Sequence, residues 1–152
     1  MNSSPIISLR FSLTYRYKFV DLIEGKNQYG ARYFLKCMKG NYWVDKYDDN
    51  GNSKSLPRDF SIPLDDDENW TVPIRDIEVK NILERLENCS INTEYTDSEI
   101  IGCDGRSYFI KFRDFFDNKD FVWWMNAPLE WKVLEDIVRF LNNTAGFGFT
   151  FD

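Results

Sequence analysis

From Ile7 to Phe19 apolar and polar residues alternate without a break: Ile7, Leu9, Phe11, Leu13, Tyr15, Tyr17 and Phe19 against Ser8, Arg10, Ser12, Thr14, Arg16 and Lys18. A period of two means successive side chains on opposite faces, so the pattern predicts one strand over 7–19 with its odd-numbered face buried. Gly25 to Gly30 reads as a turn. The runs RYFLKCM and YWVDKY then flank Lys39-Gly40-Asn41, which predicts a β-hairpin with Gly40 in its turn. Residues 48–70 form a long polar loop with a short edge strand around Phe60–Ile62. Pro73 opens a helix over about 74–88. There Val79, Ile82, Leu83 and Leu86 make the i, i+3, i+4, i+7 stripe of a helix lying on a sheet, with Asp76, Lys80, Asn81 and Arg85 facing outward.

The last third is strand, strand, helix. A weak strand at Glu94–Gly102 and the Asp104-Gly105 turn lead into Tyr108–Arg113. Residues 120–126 follow as another strand, with Phe121, Trp123 and Met125 on one face. Pro128 opens a helix to about residue 142 that buries Leu134, Ile137, Val138 and Leu141 and sets a Glu135–Arg139 pair outward; Gly146 stops it. The tail FGFTF alternates and adds a final strand. The order is β-β-β-α-β-β-β-α, without repeats or linker. It predicts a single α+β domain over 1–152, an antiparallel sheet of five to seven strands with two packed helices.

Composition supports a packed core. A chain of 152 residues that is 43% hydrophobic and 17% aromatic, at a net charge of −6, is too apolar to stay disordered. Trp123, Trp124 and Trp131 belong to that core before they belong to any ligand cleft: one of the paired indoles faces inward and the other covers the last helix. Arg10, Arg16 and Lys18 interrupt the N-terminal apolar residues, and no run is long enough to span a bilayer. Cys37, Cys89 and Cys103 lack metal-type spacing and read as free thiols, so the cytoplasm is the expected compartment.

Charge is distributed unevenly. Residues 1–40 hold seven bases against two acids, a local +5, whereas residues 41–70 hold eight acids against three bases, a local −5. An acidic chain of this kind is not expected to bind nucleic acid directly, since phosphate affinity depends on a basic surface.

Catalytic chemistry has little to build on. The chain has no histidine, which removes Ser-His-Asp and Cys-His arrangements and most zinc sites. No glycine-rich phosphate loop occurs, and nothing in the spacing pairs two carboxylates for hydrolysis. Asp48-Asp49-Asn50-Gly51-Asn52 resembles a calcium loop, but that alignment puts Lys46 on the first ligand position; a turn at Asn50-Gly51 explains it better. No metal, cofactor or catalytic residue is expected.

The densest charge run, Asp65-Asp66-Asp67-Glu68, lies between Leu64 and Trp70. Such a run is either a solvated loop or a surface for a basic partner, in which clustered carboxylates steer encounter and an aromatic anchors it. The residues expected to bind are Asp45, Asp48, Asp49, Asp65, Asp66, Asp67 and Glu68, with Trp70 as the anchor.

Asp104-Gly105 with Tyr108, Trp123-Trp124, and Pro128 with Trp131 and Leu134 together resemble the "DG..Y…WW…P..W..L" pattern of small acidic bacterial proteins, some of which lie in toxin-immunity loci. The resemblance covers the last third of the chain. It implies a cytoplasmic immunity protein of the contact-dependent growth inhibition or polymorphic toxin kind. Such a protein binds and neutralises one cognate toxin domain with a basic, nuclease-like surface. A non-catalytic interaction module of another system (phage-encoded inhibitor, adaptor or chaperone) is the alternative, and a histidine-independent carboxylate enzyme the further one.

Overall fold

A computed structural model describes residues 5–12, 16–41, 43–59, 61–89, 91, 107–113, 115–116, 120–124 and 127–147. The chain is an α+β fold. Strands β1 (Ile7–Ser12), β2 (Arg16–Glu24), β3 (Tyr33–Asn41), β6 (Glu68–Ile74), β7 (Ser107–Phe112) and β8 (Asp120–Trp124) form one six-stranded sheet. Its order is β6-β3-β2-β1-β7-β8, and every neighbouring pair is antiparallel. Strands β4 (Trp43–Tyr47) and β5 (Ser53–Pro57) make a separate two-stranded sheet. The α-helices among the described residues are α1 (Asp76–Asn88) and α2 (Lys132–Ala145).

The expected strand over 7–19 is two strands. The chain reverses between Ser12 and Arg16, and Ser12 sits opposite Tyr17. Odd residues therefore pair with even ones, so the buried parity changes across the reversal. Ile7, Leu9 and Phe11 are buried on β1, but Val20 and Leu22 on β2. Tyr17 and Phe19 pass to the opposite face, where the Arg10 guanidinium lies 4.6 Å from the Phe19 ring centroid and 2.6 Å from Asp21.

The core face carries Ile7, Leu9, Val20, Leu22, Leu35, Cys37, Ile110, Phe112, Phe121 and Trp123. They join Val79, Ile82 and Leu86 of α1 and Leu134, Ile137, Val138 and Leu141 of α2 in one hydrophobic cluster. Both apolar stripes face inward as their spacing requires. Trp123 stacks on Tyr108 at 5.6 Å and meets Trp131 edge-on at 6.2 Å, which makes both indoles core residues. The α2 helix ends at Gly146, whose φ of +89° suits glycine, and Phe147 donates back to Asn142 O at 3.1 Å.

Four further expectations need correcting, three near the middle of the chain and one in α2. Gly40 is no turn: β3 runs through it to Asn41, and β4 pairs with β5 instead of with β3. The polar segment 48–70 is not one loop, since it contains β5 and the start of β6. Pro73 lies within β6, at the sheet edge where a missing N–H is tolerated, and α1 starts only at Asp76. Glu135 is buried, not outward; it accepts the Ala127 N–H at 3.2 Å as well as Arg139 at 3.1 Å. The expected strand at Glu94–Gly102, the FGFTF tail after Phe147, the Asp104-Gly105 turn, Phe60, Cys103 and the Trp124 side chain lie outside the described residues.

Candidate protein-binding site

Strands β4 and β5 form an arm that takes no part in the core. No residue from 43 to 57 belongs to the hydrophobic cluster or to the residues packed on it. The turn that closes the arm is written in its sequence. Asp48 accepts the backbone N–H groups of Asn50 and Asn52 on one carboxylate oxygen, each at 2.9 Å. Gly51, at φ +81°, donates to Asp48 O at 3.0 Å. This is an Asx turn with glycine where positive φ is needed. The Asn52 N–H and then that of Asn50 hold the Asp48 carboxyl below its ordinary range. Asp48 is therefore a residue of the turn before it is one of the surface.

Strand alternation sorts the arm into two faces. Val44, Lys46, Lys54 and Leu56 share one; Trp43, Asp45, Tyr47, Ser53, Ser55 and Pro57 share the other, with Asp45 opposite Ser55. Lys46 and Lys54 face each other directly, an arrangement that like charges disfavour. Lys46 also helps hold the Asp59 carboxyl low, after the larger effect of hydrogen bonds from the Ser61 hydroxyl and N–H. On the second face Trp43 is 42% and Tyr47 72% exposed, with the Asp45 carboxylate between them in sequence. Ser55 Oγ donates to Asp45 Oδ1 at 2.8 Å. Asn41, Trp43, Asp45 and Ser55 line a cleft of about 460 Å³.

The root of the arm is clamped. Arg58 directly follows β5, and its two terminal nitrogens meet the two oxygens of Asp67 at 2.6 and 2.9 Å. Their side chains are only 2% and 6% exposed. Arg58 also donates to Ile62 O at 2.9 Å and to Asn41 O at 3.5 Å, while Asp67 accepts the Leu64 N–H at 3.0 Å. Gly40 lies under this pair: a Cβ there would stand 2.5 Å from Asp67 Oδ1 and 2.9 Å from Arg58 Nη1. Hydrogen bonding to Arg58 lowers the Asp67 pKa, outweighing the desolvation that raises it. The pair fastens the end of β3, the exit of β5 and the loop 58–67 to one another.

The acidic residues expected to bind thus divide by environment. Asp45, Asp49, Asp65, Asp66 and Glu68 are exposed. Asp48 is committed to the turn, and the Asp67 carboxylate is held against Arg58 with its side chain only 6% exposed. Trp70 is half-buried: its Nε1–H donates to Ala145 O at 2.8 Å and its ring packs 5.1 Å from Phe147. It ties β6 to the end of α2 and is no free anchor. Among the described residues, the exposed aromatics of this region are Trp43 and Tyr47, which sequence reasoning absorbed into a sheet strand. Their signal was available in the odd-numbered pattern Trp43-Asp45-Tyr47, an acid between two aromatics on one face.

A second cleft, of about 630 Å³, runs between the helices along Glu78, Ile82, Arg85, Ile137 and Phe140. Arg85 bridges it to Asp136 at 3.3 Å. Among the described residues no three His, Cys, Asp or Glu side chains gather to hold a metal, and no described helix is long and apolar enough to cross a membrane. No protein-family model, curated protein or solved structure matches this chain.

Proposed function

We propose that the chain is a binding protein that docks a basic protein partner on the β4–β5 arm and the neighbouring acidic loop. We further propose that it acts as a cytoplasmic immunity protein against one cognate, nuclease-like bacterial toxin domain. The observation that carries this reading is the arm itself: two large aromatics and exposed carboxylates on a hairpin that contributes nothing to the core. Exposed aromatic surface of that kind is a liability for solubility unless a partner uses it. Aromatic anchors inside a charged rim are also the composition in which interface energy concentrates. Asp45, Asp49, Asp65, Asp66 and Glu68 supply the negative field that steers a cationic surface and occupies positions meant for phosphate.

A stable interface needs about 800 Å² from each side, so the arm, the loop 59–66 and the exposed Ile62 must all contribute. The test is protection. With the neighbouring genes screened for a toxin domain, cells that express this chain should survive that toxin, and survival should drop when Trp43 and Tyr47 are both changed to Ser. Cells that gain no protection from the wild-type chain contradict the immunity reading.

A further inference from the structure

We infer that the cleft on the exposed face of the arm seats an arginine side chain of the protein partner. The inference rests on the interaction reading and gives it a chemical target. Among the described residues, Asn41, Trp43, Asp45 and Ser55 line the cleft, and their side chains carry an amide, an indole, a carboxylate and a hydroxyl. Asp45 is the only charged residue among them. Strand alternation places Lys46 and Lys54 on the opposite face, so no cation of the arm competes from this side.

The acceptors, spread over neighbouring residues, suit a planar head with donors along its edge better than a compact ammonium. Ser55 donates its hydroxyl proton to Asp45 Oδ1, which fixes the carboxylate and keeps the hydroxyl oxygen as an acceptor. The second carboxylate oxygen, that hydroxyl oxygen and the Asn41 amide oxygen are three acceptors from three neighbouring positions. A guanidinium brings five N–H donors in a plane and stacks on an indole face, whereas an ammonium is a compact point charge with three donors. The cross-strand Asp45–Ser55 pair and the flanking aromatic therefore match arginine better than lysine. The root of the arm sets this geometry, because Arg58 holds the Asn41 backbone and follows the strand that carries Ser55.

The test uses the full-length, isotopically labelled protein and two capped tripeptides, Gly-Arg-Gly and Gly-Lys-Gly, followed by NMR. The arginine peptide should shift the Trp43 indole N–H and the Asp45 and Ser55 amides saturably; a Trp43→Phe variant assigns the indole signal. The lysine peptide should bind at least about fivefold more weakly, and Asp45→Asn should weaken the arginine peptide by about tenfold. Equal response to both peptides, or undiminished shifts in the Asp45→Asn protein, overturns the inference. Partner binding is measured separately. A toxin domain that binds the wild type and Asp45→Asn alike, alongside silent peptides, overturns the arginine seat and leaves the interaction reading in place. An arginine peptide that binds this cleft, with no toxin domain bound, upholds the seat and removes the immunity reading.

Discussion

At Asp67 a carboxylate meets both terminal nitrogens of Arg58, and little of either side chain is exposed to water. Removing one partner of such a pair strands the other charge in a dry site, so Asp67→Asn is expected to cost about 3 kcal/mol of stability. Replacing both, as Asp67→Asn with Arg58→Met, should recover most of that loss, as chemical denaturation will show. The pH dependence has a definite sign. The folded carboxyl of Asp67 lies below its unfolded value, so its contribution is present above about pH 4 and disappears as pH falls through the folded value. Acid unfolding of the double variant should therefore be shallower than that of the wild type. At Cys37 burial comes first and Asp21 second in pushing the thiol up to about 12. It should resist alkylation in the native protein at pH 8, read by peptide mass spectrometry, and label freely in denaturant. Rapid native labelling of Cys37 would show that the core face opens readily.

Among the elements, those with a helical period were legible. Leu134, Ile137, Val138 and Leu141 bury as their spacing demands, and Gly146 ends α2 where expected. The Asn50-Gly51 turn was legible too, because its chemistry is local. The β1–β2 reversal was not. Its residues continue the same alternation and bring no glycine or proline, so nothing in the pattern marks a turn; only pairing across the sheet does. Gly40 misled in the opposite way. Glycine in a strand can signal close approach of another group instead of a bend, and here it makes room for the Arg58–Asp67 pair. Gly40→Ala should therefore destabilise by about 2 kcal/mol, because both nearby atoms are locked in a buried pair and cannot swing aside. A melting temperature unchanged by Gly40→Ala would mean the clamp has slack. Of the residues expected to bind, the exposure of Asp45, Asp49, Asp65, Asp66 and Glu68 was legible and the packing of Trp70 and Asp67 was not: these two turn inward because β6 packs against α2 and the loop folds onto β3, contacts remote in sequence.

Across the whole molecule, the hydrophobic core and the proposed binding surface occupy different places. The helices and the core face of the six-stranded sheet hold the fold, while the arm carries exposed aromatics and acids without a share in that core. Changes on the arm should therefore separate stability from binding. The most direct measurement is stopped-flow association between this protein and the toxin domain proposed as its partner, for wild type and for a variant carrying Asp49→Lys, Asp65→Lys and Asp66→Lys, across a series of salt concentrations. The account predicts a variant that melts within a few degrees of the wild type and associates at least about tenfold more slowly at low salt, with a flatter dependence on ionic strength. Association at the wild-type rate with the wild-type salt dependence would contradict it and place the binding surface elsewhere on the fold.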